Sequence, residues 1–331
     1  MTGRFRALLI AVACSGSMIL AWMGAAVAGL VMLRKGPGEG LWVVLWASLP
    51  ALVLTKLTGD GSALALLLGT GLLALVLRQS VNLSLTALST ALVSVLTAFG
   101  LLWFGQDLLG ELARVFDQFL SNLEQQARQA GTEPVQLARP TPFQLAGMMG
   151  VANGLLSFLC LALARSWQAE MYNPGGFGEE FRGLRIPPAV VFALALGALG
   201  VFSLGFEYRA WGAALLLPLA IGGFSLIHAR ARLRGQGRLW FTAIYLAWAV
   251  FDAAKLALIG LTVVDAVLDF RRRWQGPAAS VAPADDGADS ASADERTDRE
   301  DIDEGHDDGH REANREEHRE EHRAEKDDDK D

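Results

Sequence analysis

Long apolar runs separated by short polar loops fill the sequence up to about residue 275. A helix needs about 20 residues to cross the roughly 30 Å hydrocarbon core of a bilayer, and each run approaches or exceeds that length. The runs lie at 7–33, 41–55, 62–77, 81–104, 142–165, 188–206, 210–229 and 239–264. This pattern predicts an all-α fold, a polytopic bundle of about eight transmembrane helices embedded in the lipid bilayer.

The first run, 7–33, is longer than one crossing requires, and glycines interrupt it. It is either one tilted helix or a helix followed by a short re-entrant piece, and the choice reverses the side of every later loop. Lys and Arg divide almost evenly between alternate loops, so charge bias alone does not set the orientation. The basic groups Arg4, Arg6 and Arg271–Arg273 favour both ends of the bundle on the cytoplasmic side.

Charge separates a membrane domain at 1–275 from a charged tail at 276–331. From residue 285 onward there are 8 basic and 22 acidic residues, a net charge of 8 − 22 = −14. The rest of the chain carries 21 basic and 14 acidic residues, a net charge of 21 − 14 = +7. The tail has too few apolar residues to bury a core, so we expect it to be disordered. Its acidity argues against a nucleic-acid partner.

Histidines in the tail are the only weak metal possibility in the sequence. His306 and His310 are four residues apart, as are His318 and His322. Two imidazoles one helical turn apart can share a metal ion, but no rigid scaffold is predicted around them. A solvated charged tail is the simpler interpretation, and we predict no metal site and no cofactor.

One segment outside the apolar runs predicts an amphipathic helix at about 107–128. Its apolar residues recur every three or four positions: Leu108, Leu112, Val115, Phe116, Phe119, Leu120 and Leu123. Acidic residues outnumber basic ones on the other faces, whereas a helix that binds anionic lipid carries a basic face. We therefore expect it to dock on the protein's own helices or on a membrane protein partner.

Two ionisable residues, Asp252 and Lys255, lie near the middle of the last apolar run. They are three residues apart and therefore share a helical face. Charges at membrane depth are costly and are functional candidates for that reason. Either the two side chains neutralise each other, or they face a polar cavity and contact a substrate or ion.

A polar stripe runs along the fourth apolar run at intervals of three and four residues: Asn82, Thr86, Thr90, Ser94 and Thr97. Asn153, near Gly150 and Gly154, is likewise a polar residue within an apolar run, the fifth. Small hydroxyl residues in membrane helices favour close packing and interhelical hydrogen bonds. The alternative is a ligand pathway, and Thr86, Thr90 and Asn153 are its candidate residues.

A polar, turn-rich stretch at 168–187, called the marker loop below, separates two apolar blocks. Its most distinctive residues are Asn173, Pro174, Gly175, Gly176, Phe177, Glu180 and Arg185. The Pro-Gly-Gly segment forces the chain to turn, and the aromatic residues favour a position at the membrane interface. The loop is either an interfacial structure ordered by packing, or a gate or a docking surface for a partner.

Three short motifs carry a family resemblance. They are the loop Asn173-Pro174-Gly175-Gly176-Phe177 with Glu180-Phe181 and Leu184-Arg185, the turn Leu33-Arg34-Lys35-Gly36, and the run Asp265–Arg273. On these motifs, residues 1–275 resemble the YybS-like family of bacterial multi-pass membrane proteins. That family is similar in architecture to the substrate-binding components of energy-coupling-factor transporters, which implies a small-molecule-binding bundle. The chain departs from those components in its larger number of predicted spans and its acidic tail, and the resemblance transfers no site residues.

The sequence contains no paired-acid, Ser-Lys or His-Glu-x-x-His arrangement within its apolar runs, so we expect no enzyme. Two hypotheses of different class follow. The chain is a small-molecule-binding or transport-related protein of the bacterial cytoplasmic membrane, or it is a membrane scaffold or envelope-assembly factor. The scaffold would act through partners at the amphipathic helix or the marker loop.

Overall fold

The computed structural model describes the backbone of residues 2–130 and 137–274. Within these ranges every regular element is helical, with a short 3-10 turn at Phe206–Tyr208. The helices are α1 (Thr2–Ser15), α2 (Ala21–Lys35), α3 (Pro37–Thr58), α4 (Ser62–Ser80), α5 (Leu83–Phe104), α6 (Gln106–Gln129), α7 (Pro142–Tyr172), α8 (Gly176–Gly183), α9 (Pro188–Ser203), α10 (Arg209–Leu233), α11 (Arg238–Val250), α12 (Asp252–Leu268) and α13 (Phe270–Trp274). The all-α prediction is confirmed for this part of the chain, and the predicted tail, 276–331, lies outside it.

Five helices in the described residues are long and apolar enough to cross a membrane: α3, α4, α5, α7 and α10, the last together with the preceding 3-10 turn. The number rises to seven if α8 with α9, and α11 with α12, are each counted as one bent span. The chain is therefore a multi-pass membrane protein by the length and composition of its helices. The predicted number of eight is not reached by these criteria, because the first and last apolar runs are both broken and α9, with 16 residues, is too short to count alone.

The first run divides into α1 and α2 at a turn over residues 16–20. The two helices have 14 and 15 residues, so each is about 21–23 Å long, which is short for one crossing. They lie side by side, since a Cβ placed on Gly24 would stand 3.1 Å from the Ala11 carbonyl oxygen and 3.1 Å from the Ser15 nitrogen. The first run therefore folds back on itself.

The centre of the bundle is α7, which has 31 residues and a length of about 46 Å. Its N-terminus is fixed by a capping box in which Thr141 and Gln144 bond each other's backbone N–H groups. It packs most extensively against α5, where Gly150 and Gly154 let the two backbones approach closely. This is the helix-packing role predicted for the small residues of the fifth run.

Contacts between helix termini define two ends of the bundle. One end carries the marker loop and is called the loop end. There, Arg78 Nη1 and Gln168 Nε2 both donate to the Leu33 carbonyl, at 3.2 and 3.3 Å. At the far end, Gln144 Nε2 donates to the Phe206 carbonyl at 3.1 Å. Since Gln144 and Gln168 are both on α7, that helix connects the two ends.

The last apolar run, 239–264, also folds back. Its two helices, α11 and α12, meet at Phe251 with a bend of 111°. At the start of the run, Phe241 stacks on His228 with ring centroids 4.5 Å apart. After the run, the Trp274 ring lies under the Arg230 guanidinium at 4.8 Å. Both ends of the pair therefore reach the loop end of α10, and the prediction of one crossing helix is not met here.

The far end also carries α6, which follows α5 after Gly105. Leu109 is its single buried side chain and packs in a small cluster with Leu101 and Leu145. Other apolar side chains of α6 are exposed: Val115, Phe116, Phe119 and Leu123. The helix thus rests on α5 and α7 near its first turns and leaves much of its apolar side uncovered.

Candidate ligand cavity

A cavity of about 270 Å³ opens between α2, α3, α4, α5 and α7 toward the far end of the bundle. Most of its walls are apolar, including Leu66, Leu101, Met149 and Leu156. Its polar lining residues are Asp60, Ser62, Thr97 and Asn153. Apolar walls with a few convergent polar groups are typical of small-molecule sites.

Asn153 supplies the central polar group of this cavity. Its Nδ2 donates to Thr97 Oγ1 at 2.8 Å and to the Ala65 carbonyl at 3.3 Å. These bonds fix the amide, and no described residue donates to its Oδ1. The amide oxygen is therefore an oriented acceptor that a ligand can use.

Thr97 lies opposite Asn153, on the C-terminal half of α5. Its hydroxyl accepts the Asn153 bond and donates to no described group, so its proton is free for a ligand. A second cavity, of about 360 Å³, lies beside the first and shares Ala65, Thr97 and Leu101 with it. Thr97 therefore stands between two adjoining apolar spaces.

Asp60 provides the one ionisable group among the lining residues of the first cavity. It lies in the turn between α3 and α4, where Gly59 has a φ of 74° and lets the chain reverse. Asp60 Oδ1 accepts bonds from the Ser62 backbone nitrogen and hydroxyl at 2.8 and 2.5 Å. In sequence the residue looks like a simple loop acid, so only the folded chain reveals its position beside the cavity.

Asn153 is the one predicted site residue that lines this cavity. Thr86 and Thr90 are 0% exposed, and each hydroxyl bonds a carbonyl of its own helix, Asn82 at 2.9 Å and Ala87 at 2.6 Å. A ligand could reach them only if the helices separated. In this structure the two threonines pack helices, which is the alternative that the sequence left open.

Asp252 and Lys255 form an ion pair of 2.7 Å in the first turn of α12. They stand at the bend of the folded-back pair rather than in the middle of a continuous helix. The Asp252 side chain is 90% exposed, and that of Lys255 is 41% exposed. Neither lines the cavity near Asn153. The break has no proline or glycine to mark it, so hydropathy alone placed the pair wrongly in an unbroken span.

The marker loop contains α8 and is ordered by many contacts. Gly175 adopts a φ of 84°, a left-handed conformation, directly before the buried Gly176 and the start of α8. Phe177 packs against the main apolar core. Asn173 ends α7, and Pro174 lies in the turn between the two helices.

Ion pairs and hydrogen bonds attach the marker loop to three helices and to Asp269. Glu180 forms a two-oxygen ion pair with Arg165 of α7. Arg185 donates its backbone N–H to Ser84 Oγ of α5 at 3.0 Å, and its guanidinium lies 3.4 Å from Asp269 beyond α12. Tyr172 accepts a 2.7 Å bond from Arg34 of α2. The marker loop is thus an ordered part of this end of the bundle. Its contacts agree with the alternative of an interfacial structure ordered by packing.

Arg271 has a structural role that the sequence did not reveal. It is only 6% exposed, and its guanidinium donates to the Leu184 carbonyl at 2.6 Å and to Ser225 Oγ at 2.9 Å. Burial lowers the pKa of this guanidinium. The nearby Asp265 carboxylate opposes that effect only in part, so the pKa stays below its ordinary value. Arg271 therefore joins α10 and the marker loop, where a basic interfacial cluster was expected.

The tail histidines, His306, His310, His318 and His322, lie outside the described residues.

No family model, no curated protein and no solved structure matches the chain.

Proposed function

We propose that the chain is a small-molecule-binding membrane protein, related in role to transport, and that its ligand occupies the cavity beside Asn153. The observation that carries this proposal is an apolar space of about 270 Å³ with a fixed, unused amide oxygen beside a free hydroxyl proton. An unused acceptor next to apolar walls favours a ligand with a hydrogen-bond donor on an apolar body. The resemblance to the YybS-like family leads to the same proposal.

The apolar lining and the polar groups have different roles in such a site. Burial of apolar ligand surface supplies affinity, at roughly 25 cal/mol for each Å² removed from water. Asn153 and Thr97 supply orientation, because a wrongly placed ligand would leave their polar atoms unpaired. We propose binding and no covalent step, since the lining residues include no His, Cys or Lys.

Filling the cavity tests this proposal. Ala152 lines the cavity, and Ala152→Phe places a ring in the space while leaving Asn153 unchanged. We expect purified wild-type protein in detergent to be thermally stabilised by at least one compound of a vitamin and metabolite panel. We expect the same compound to give no stabilisation of Ala152→Phe, since the ring takes up its volume.

Ala193→Phe is the matched control, because Ala193 is exposed on α9 and lines none of the cavities described above. It should retain the full ligand-induced rise in unfolding temperature. A ligand that stabilises Ala152→Phe and wild type equally would contradict the proposed site. A panel that stabilises neither would contradict the proposed function.

We further propose that the chain resides in the bacterial cytoplasmic membrane with its loop end in the cytoplasm. Basic side chains gather at that end: Arg34, Arg78, Arg165, Arg185, Arg230 and Arg271. Cytoplasmic segments of membrane proteins carry an excess of Lys and Arg, which supports this orientation. The ligand cavity would then lie toward the periplasmic side.

A second candidate function is a scaffold that acts through α6. The apolar side of this helix is exposed, and acidic residues outnumber basic ones on its other faces, which favours docking against a protein partner rather than against anionic lipid. Its polar side is held by Arg139, which contacts Asp117 at 2.5 Å and Glu124 at 3.3 Å. Hydrogen bonds from the Leu137 nitrogen and from Arg139 lower the pKa of Glu124, so this carboxylate stays ionised to a more acidic pH than a free glutamate does.

Site-specific cross-linking in cells tests the scaffold. A photoreactive residue at Phe119, which is 57% exposed, should capture a stoichiometric membrane protein if α6 docks a partner. The same residue at Leu239, 86% exposed on α11, is the control for general apolar exposure. Equal products at both positions, or none at Phe119, would contradict this second function.

A further inference from the structure

We propose that the cavity beside Asn153 selects a cationic ligand, an amine on a compact apolar body, and that Asp60 is its counter-ion. This inference rests on the proposed small-molecule function and adds the chemical class of the ligand. Three features support it: the carboxylate of Asp60, the unused amide oxygen of Asn153, and the aromatic ring of Trp22.

The Asp60 carboxylate has one oxygen in use and one available. Both bonds from Ser62 end on Oδ1, and no described residue donates to Oδ2. No basic side chain within the described residues forms an ion pair with Asp60. The bonds at Oδ1 fix the orientation of the carboxylate, which leaves Oδ2 as an unneutralised acceptor beside an apolar space.

The amide of Asn153 also favours a donor in the ligand. Its oxygen is an acceptor without a described donor. Asp60, in the turn at Gly59–Gly61, lines the same cavity. Arg, Lys and His are absent from the lining residues of both adjoining cavities. A carboxylate or phosphate ligand would lose its hydration next to Asp60 and gain no cation in return, which is unfavourable.

An ammonium group matches this arrangement. It has up to three N–H donors and no acceptor, so its donors match the acceptor oxygens Asp60 Oδ2 and Asn153 Oδ1. Trp22 lines the same cavity, and an indole ring attracts a cation placed over its face. The surrounding side chains, among them Met18, Leu54 and Leu156, provide the apolar surface for the body of the ligand.

Three probes of similar size and different charge test the inference. They are 2-phenylethylamine, 2-phenylethanol and phenylacetate, which at neutral pH are a cation, a neutral molecule and an anion. Binding is measured by equilibrium dialysis against the purified full chain in detergent. We expect the amine to bind at least about tenfold more tightly than the alcohol, the ratio that one charge-assisted hydrogen bond supplies, and the acid to bind most weakly.

Asp60→Asn should remove the preference for the amine while the alcohol still binds, because the amide keeps an acceptor but loses the charge. Asp107→Asn is the matched control, since Asp107 is an exposed acid in the first turn of α6 and does not line the cavity. It should leave all three affinities unchanged.

The outcomes separate this inference from the proposed function. If Ala152→Phe abolishes binding but the three probes bind equally, or the acid binds best, the cavity is a site and the amine class is wrong. A preference for the amine that survives in Asp60→Asn would also overturn the role of Asp60. Absence of binding of all three probes up to their solubility, while a compound of the panel still stabilises wild type but not Ala152→Phe, would contradict the ligand class and leave the small-molecule function standing.

Discussion

Glycine determines how closely α5 and α7 approach. A Cβ placed on Gly150 would stand 2.9 Å from Ala98 Cβ and 3.2 Å from the Ala98 nitrogen. Real Cβ atoms rarely come so close to backbone, so the helices would have to move apart. Because Asn153 follows Gly150 by one turn of α7, this contact also determines where its amide lies relative to Thr97.

We therefore expect Gly150→Ala to destabilise the protein by about 1–3 kcal/mol, as overpacking of a well-filled contact does. Gly260→Ala is the matched control, since a Cβ at Gly260 meets nothing within 4 Å. There, the lower flexibility of alanine should be neutral or stabilise α12 by about 0.5–1 kcal/mol. Thermal unfolding in detergent measures both variants, and equal stability losses would contradict the tight contact.

Single residues also show what the sequence could reveal about the site. Asn153 was predictable because an amide in an apolar run is costly unless it is bonded or used. Asp60 was not, because an acid between two glycines in a short loop is typical of any turn. Arg271 was expected at the interface, but its burial depends on α10 and the marker loop, which are distant in sequence.

Among the elements, hydropathy located the apolar runs but not their breaks. The two runs that fold back are 27 and 26 residues long, which is compatible with one tilted helix as well as with two short ones. Glycines at least raised this possibility for the first run. The last run bends at Phe251 without glycine or proline, and its packing on α10 determines the path.

Cysteine labelling in intact cells tests the folded-back pair of α11 and α12. Gly237→Cys and Arg273→Cys lie before and after the pair at exposed positions, and we expect both on the same side of the membrane. Asn122→Cys, exposed on α6, should be on the opposite side. A membrane-impermeant thiol reagent distinguishes the two sides, and background is low because Cys14 and Cys160 are buried.

We expect the reagent to label only Asn122→Cys from outside, with the other two labelled after permeabilisation. Gly183→Cys, at an exposed position of α8, is the control for the loop end and should behave like Gly237→Cys. Labelling of Gly237→Cys and Arg273→Cys from opposite sides would mean that the last run crosses the membrane once.

For the whole molecule, the ordered loop end and the cavity near the far end have different roles. The marker loop is held by α2, α5, α7 and by Asp269, so its distinctive sequence is explained by packing and ion pairs. The cavity instead leaves polar atoms of Asn153, Thr97 and Asp60 without described partners. Unused polar groups beside an apolar space are the better indication of a ligand.

A structure of the protein with a stabilising ligand tests the proposed site most directly. The ligand would be taken from the thermal screen and added to wild-type protein before cryo-electron microscopy. We expect its density in the cavity, with a donor within about 3.5 Å of Asn153 Oδ1 and its apolar body against Leu66 and Leu156. Density at the Asp252–Lys255 pair or beside the marker loop, with the cavity unfilled, would contradict the proposed site.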